Sequence, residues 1–196
     1  MLSPQGKFVY TANVNANTVS VYSIDPSTGA LPPVLGSPFA AGPNPCSVSV
    51  DPSGRFLFVP NANGQSVSAY TVDSSSGVLG PIPGSPFSAG QIAKFVALHP
   101  SGAFAYILNQ SSNSISAFTV DFTTGALSPI AGSPFTVIDG VEPVAASVDP
   151  WGKTLYVVNQ SSNSISIFAI DATSGALTSQ GSIQTGSNPI SIVLTQ

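Results

Sequence analysis

The chain has 196 residues, with eight acidic and four basic side chains, a formal net charge of −4, and 6% charged against 42% hydrophobic residues. That hydrophobicity excludes a disordered chain. Lys7, Arg55, Lys94 and Lys153 are all the cations, which excludes the basic patch that nucleic-acid binding needs.

In chain order, the stub Met1–Leu2 precedes a turn, Ser3-Pro4-Gln5-Gly6, and a run from Phe8 to Asn13. An alternating segment ending at Asp25 follows, then a Gly-Ala-Leu turn and Gly-Ser-Pro-Phe at 36–39. The turn recurs at Asp51-Pro52-Ser53-Gly54, His99-Pro100-Ser101-Gly102 and Asp149-Pro150-Trp151-Gly152, at spacings of 48, 48 and 50 residues. Runs Phe56–Asn61, Phe104–Asn109 and Thr154–Asn159 follow these turns, and the alternating segments end at Asp73, Asp121 and Asp171. Gly-Ser-Pro-Phe returns at 84–87 and 132–135 and is missing from the fourth copy. Alternation over short segments is strand periodicity, and four strands in about 48 residues is the size of a propeller blade. The expected fold is all-β, a β-propeller of four four-stranded blades forming one array over residues 1–196. Strands A to D of a blade run from the axis outward. A is of the Cys46–Val50 type, B of the Phe56–Asn61 type and C of the Val67–Asp73 type, and D runs through Gly-Ser-Pro-Phe.

Residues 189–195 have the sequence of an A strand and are expected to complete the first blade by pairing with Phe8–Asn13, in the same chain or a neighbour. Otherwise β pairing along Phe8–Asn13 is left open. The expected assembly is a homodimer: two four-blade arcs exchanging residues 189–195 to make an eight-bladed ring. No apolar run spans a bilayer and the first residues do not form a signal peptide, so a soluble chain is expected, with no membrane or nucleic-acid partner.

Val50-Asp51-Pro52-Ser53-Gly54-Arg55-Phe56-Leu57-Phe58-Val59, Tyr156-Val157-Val158-Asn159 and Ser114-Ile115-Ser116-Ala117-Phe118 resemble the repeats of lactonase-type propellers, which include the 6-phosphogluconolactonase-like and YVTN-repeat proteins. The resemblance covers the whole chain and implies the propeller fold, though that family has seven blades. It also implies a His and Arg residues at the starts of A strands and a Glu where strand B ends. Cys46 stands at the His position, Lys94 at one Arg position, Val144 at another, and Gln110 where the Glu would be.

Subtracting the scaffold leaves four residues that break the repeat near the D–A connections: Cys46, Lys94, Glu142 and Asp139, the last within a two-residue insertion. They are the expected catalytic group. A cation beside Cys46 favours a thiolate nucleophile, and Glu142 or Asp139 is placed to act as base. The packed alternative is a buried small Cys46 and a Lys94 paired with an acid at the rim. Asn61, Asn109, Gln110 and Asn159, in or beside the B–C loops, are the expected ligand-binding amides, with turn chemistry as the alternative. His99 is read as a turn cap. No Cys/His set suits a metal, and no cofactor is expected. Two functions follow. One is a weak or promiscuous hydrolase of lactones or activated esters at the axial pocket. The other is a non-catalytic scaffold binding protein, peptide or glycan, including a piece of a longer propeller.

Overall fold

The computed structural model describes residues 1–194, which form seventeen strands in four antiparallel sheets and no helix. Sheet 1 holds β1 (Phe8–Asn13), β2 (Thr18–Ser23) and β3 (Phe39–Ala40). Sheet 2 holds β4 (Ser49–Val50), β5 (Phe56–Asn61), β6 (Ser66–Val72), β7 (Leu79–Pro81) and β8 (Phe87–Ser88). Sheet 3 holds β9 (Ala93–Leu98), β10 (Phe104–Asn109), β11 (Ser114–Val120), β12 (Leu127–Pro129) and β13 (Phe135–Thr136). Sheet 4 holds β14 (Pro143–Val148), β15 (Thr154–Asn159), β16 (Ser164–Ile170) and β17 (Leu177–Gln184). This is an all-β, propeller-like sheet repeat.

The Gly-Ser-Pro-Phe motif has a structural reason. In sheets 2 and 3 the outer strand is split: β7 and β12 pair with one end of the third strand, β8 and β13 with the other. The motif fills the gap with a cis Ser-Pro bond at residues 37–38, 85–86 and 133–134. Each serine hydroxyl replaces the missing carbonyl, accepting the amide of Val21, Ala69 or Ala117 at 2.9 Å. Sheet 4 lacks the motif, and its outer strand β17 runs for eight residues with one bulge, where Ser166 faces Ser182 and Phe168 faces Ser179.

Three hydrophobic clusters join neighbouring sheets: 1 with 2, 2 with 3, and 3 with 4. Leu57 and Val59 of β5 face sheet 1, while Phe56 and Phe58 face sheet 3, and all four are buried. Fully burying one such side chain contributes about 1.5–3 kcal/mol. Phe8, Phe56 and Phe104 sit beneath the turn glycines Gly77, Gly125 and Gly175 of the next sheet, where a Cβ would fall 2.5–2.6 Å from the ring. No cluster joins sheet 4 to sheet 1 among the described residues.

Among the described residues, the expected closure of residues 189–195 onto Phe8–Asn13 is not made within the chain. Residues 189–194 form no strand, Ile190 and Val193 are exposed, and Thr195 lies outside the described residues. Among the described residues the inner side of β1 meets only the stub: Leu2 bridges Val9, and the Tyr10 amide donates to the Met1 carbonyl at 2.9 Å. Among the described residues no helix is long and apolar enough to cross a membrane.

Candidate functional site

Each inner strand opens with the same irregularity. In sheet 3, Phe95 pairs with Leu108 and Ala93 with Asn109, so Lys94 is an extra residue outside the ladder. In sheet 4, Ala145 pairs with Val158 and Pro143 with Asn159, leaving Val144 outside. In sheet 2, Pro45 bridges Asn61 while the Cys46 amide donates to the Pro60 carbonyl at 3.0 Å, which gives Cys46 the same place. A bulge re-aims the side chain of its extra residue. Cys46, Lys94 and Val144 are therefore one repeat position carrying three chemistries, at the D–A end of neighbouring sheets.

Glu142 belongs to a different register position. It aligns with Asn44, Ile92 and Asn188, and all four have a positive φ, between +52° and +59°. Its amide donates to the Asn113 side-chain oxygen at 2.8 Å, as the Asn44 amide does to Asn17 and the Asn188 amide to Asn163. The turn is thus scaffold, but its side chain is not. The Glu142 carboxylate is half-buried and accepts a hydrogen bond from the Ser161 hydroxyl in the B–C loop of sheet 4. Ser161 was not singled out from the sequence, because it sits inside a polar turn shared with Ser111. Asp139 is exposed.

Cys46 is partly exposed, and its thiol donates to the Asn44 carbonyl at 3.3 Å, within its own turn. Lys94 is partly exposed. Gln110 is half-buried, with its amide donating to the Ile92 carbonyl at 2.9 Å. That bond brings the B–C loop of sheet 3 to the D–A end.

Asn61, Asn109 and Asn159 are fully buried. Each Nδ2 donates to two serine hydroxyls of the third strand, Asn109 to Ser114 and Ser116 at 3.1 and 2.9 Å. Gly42, Gly90 and Gly140 press against these amides, where a Cβ would lie 2.4–2.5 Å from a side-chain atom. The three asparagines clamp strand B to strand C and seat the D–A loops. Their turn chemistry accounts for their position without a ligand.

A groove of about 340 Å³ runs along the inner strands, lined by Val48, Val50, Phe95, Ala97, Ala146 and Val148 among others. It is mainly apolar, and none of Cys46, Lys94, Asp139 or Glu142 lines it. The expected catalytic group therefore does not line this groove: Lys94 lies in β9, whereas Cys46 precedes β4 and Asp139 and Glu142 precede β14. Among the described residues no group of His, Cys, Asp and Glu could hold a metal ion.

At the opposite, A–B end, His99 is the turn cap read from the sequence. Its Nδ1 lies 3.1 Å from the Ser101 amide and its ring packs edge-on against Phe104 at 5.4 Å.

No curated protein sequence matches the chain. Among solved structures, the chain superposes on a candidate 6-phosphogluconolactonase of Bacteroides uniformis with a TM-score of 0.85 at 21% identity, covering 96% of this chain and 55% of that one. The periplasmic gluconolactonase of Pseudomonas aeruginosa gives 0.84 at 23%, covering 96% and 54%. A protein from Lactobacillus plantarum gives 0.82 at 23%, covering 97% and 56%. The chain spans little more than half the length of each. At these identities the likeness shows the fold. The family model "Lactonase, 7-bladed beta-propeller" matches residues 1–91 and 83–194, nearly the whole sequence. With a match over nearly the whole sequence, the chain belongs to the lactonase family of β-propellers.

Proposed function

We propose that the chain is a weak or promiscuous hydrolase of lactones or activated esters, acting at the D–A end of its inner strands. The observation that carries this is the bulge position, where Cys46 and Lys94 replace one another on adjacent strands while the scaffold around them repeats. It is supported by the resemblance to lactonase-type repeats, which implies a His and Arg residues at the starts of these strands.

In this reading the Lys94 ammonium holds the carbonyl oxygen of the substrate and stabilises the negative charge it gains on attack. The Glu142 carboxylate takes a proton from water as the water oxygen bonds to the carbonyl carbon. The ring C–O bond then breaks, the leaving oxygen recovers the proton, and the product is the hydroxy acid. Water is preferred to Cys46 as the nucleophile because the thiol hydrogen is engaged by the Asn44 carbonyl. Cys46 then shapes the pocket beside Lys94, and Asp139 contributes negative charge at its rim.

Assaying a panel of γ- and δ-lactones and aryl esters tests the reading. Lys94→Met and Glu142→Gln should each lower kcat/KM by about 100-fold or more, and Cys46→Ala should retain most of the activity. Hydrolysis that survives both of the first two substitutions would refute the assignment.

The second reading is a non-catalytic binding module, and the apolar lining of the inner groove favours it. Wild-type protein without turnover on the panel, but with a Tm raised by a peptide or glycan, would establish that reading instead.

A further inference from the structure

The two ends of the sheet array carry interior surface. On sheet 2 the face turned to sheet 1 presents Leu57, Tyr70 and Leu79, at most 5% exposed. The repeat mates on sheet 1 are Val9 and Tyr22, which are only half-buried, and Leu31, which is 47% exposed. At the other end, Ile165 and Ile167 of β16 lie half-uncovered where their mates Val67 and Ala69 are fully buried. Arrays of repeats need polar terminal faces to stay single, and neither end here is polar.

The peptide after sheet 4 is already aimed at a fifth sheet. Asn188 has φ +59°, the value found at Asn44 and close to that at Glu142, the residues that lead into the inner strands of sheets 2 and 4. Its amide donates to the Asn163 side chain at 2.7 Å, and Gln160 donates to its side chain at 3.0 Å. Pro189 to Val193 then repeat the register of Pro45 to Ser49. Sheet 1 shows the complementary gap. Met1 and Leu2 take the places of Ser49 and Val50 against Tyr10 and Val9, and Thr11–Asn13 have no neighbour on their inner side among the described residues. Gly29, the turn glycine of sheet 1, has nothing within 4 Å, whereas its mates Gly77, Gly125 and Gly175 each lie under an aromatic ring of the preceding sheet.

From this continuity with the three existing interfaces we infer that the partner is a second copy of this chain. The free face of sheet 4 packs on the free face of sheet 1 of the other copy, twice over, giving a two-fold ring of eight sheets. Residues 189–192 supply the first half of the inner strand whose second half is Met1–Leu2. The register sets Ile192 opposite Thr11 and Ser191 opposite Ala12 of the other copy. A pitch suited to seven blades is about 51° and to eight about 45°, the smallest step in the series of known rings. The ring also closes the inner groove, which one chain leaves open.

The test is mass in dilute solution by light scattering, on the full chain. Twice the chain mass of 19.8 kDa is expected. Ile167→Glu on sheet 4 and Leu31→Glu on sheet 1 should each give the single-chain mass, with the strand signal in circular dichroism unchanged. Mixing these two variants should restore a double-mass species through the one interface that stays intact. A third protein carrying Cys46→Ala, Ala12→Cys and Ser191→Cys should run as a disulfide-linked dimer under non-reducing conditions. A wild-type single-chain mass overturns the proposal, as does a polydisperse polymer. A dimer indifferent to Ile167→Glu overturns it too, because it would pair the sheet 1 faces alone.

Discussion

The His99 imidazole donates its Nε2–H to the backbone carbonyl of Gly152 at 2.9 Å, linking the A–B turns of sheets 3 and 4. A carbonyl only accepts, so Nε2 carries the proton and Nδ1 accepts from the Ser101 amide. His99 thereby does for its turn what Asp51 does by accepting the Ser53 amide at 3.1 Å, and adds a bond to the next sheet. His99→Asp should keep the cap and lose the link, costing about 1 kcal/mol. His99→Ala loses both, and the contact with Phe104, and should cost about 2 kcal/mol. Urea midpoints of the three proteins measure the order. Equal midpoints for Asp and Ala would show that the turn cap contributes nothing.

Asn109 has four hydrogen bonds' worth of capacity and spends three of them inside the protein. Nδ2 donates to Ser114 and Ser116, and Oδ1 accepts from the Gly90 amide at 2.9 Å. Asn109→Ala leaves that amide and the buried Ser116 hydroxyl unpaired, while Ser114 keeps its bond to the Ser112 hydroxyl at 2.9 Å, and should cost roughly 2–3 kcal/mol. Gly90→Ala attacks the same contact from the other side, since its Cβ would fall 2.5 Å from the Asn109 carboxamide. It should cost about 1–3 kcal/mol. The pair should be less than additive in a double-mutant cycle.

Four turn aspartates should make the fold acid-sensitive. Asp25, Asp73, Asp121 and Asp171 each accept amide hydrogens from the two residues at i+2 and i+3, as at Asp25 with Ser27 and Thr28. Hydrogen bonds to the ionised form hold all four carboxyls below their ordinary 3.8. Asp25 falls to about 2, chiefly through the Ser27 hydroxyl and amide. Asp73 is lowered chiefly by the Ser75 hydroxyl, Asp121 by the Thr124 amide and Asp171 by the Ser174 amide. A depressed folded value means the unfolded chain binds more protons, so stability falls as pH drops. The contribution is fully present above about pH 4 and is lost through pH 2. Tm should be flat in this respect at neutral pH and fall between pH 4 and 2, and replacing Asp25 by Ala should flatten part of that fall.

At alkaline pH the sign reverses for Tyr10. Burial pushes its phenol up to about 12, against an ordinary 10. The folded state keeps a proton that the unfolded chain releases, so stability declines as pH rises above 10. Tyr10→Phe keeps the ring and removes the titrating hydroxyl, which has no hydrogen-bond partner in the fold. It should shift the alkaline midpoint upward while leaving the neutral one nearly unchanged, as followed by circular dichroism.

The repeat was legible because each copy spends the same residues on the same turns. The bounds of β1, β5, β10 and β15 coincide with the runs Phe8–Asn13, Phe56–Asn61, Phe104–Asn109 and Thr154–Asn159 read from spacing alone. Cys46 and Lys94 stood out because the repeat around them is kept, and the structure puts both at the extra residue that opens an inner strand. What periodicity does not carry is the bulge: one extra residue per inner strand is invisible until Ala93 and Phe95 are seen facing successive residues of β10. The buried asparagines were obscure for a related reason. In a polar loop sequence, Asn61 and Asn63 look alike, and only the ladder shows that Asn61 closes the strand pair at 0% exposure.

The split outer strands also govern how the molecule behaves when concentrated. In sheets 1 to 3 the outermost backbone is interrupted by proline, and the gap is spent on a serine hydroxyl, so no long row of free amides and carbonyls faces outward. β17 is bulged near Gly181 but has no proline, and among the described residues it offers the longest outer edge, from Leu177 to Gln184. Unwanted fibril-like stacking at high protein concentration should therefore begin at sheet 4. Grafting the proline and serine of the other sheets into residues 179–182 would act as a gatekeeper there.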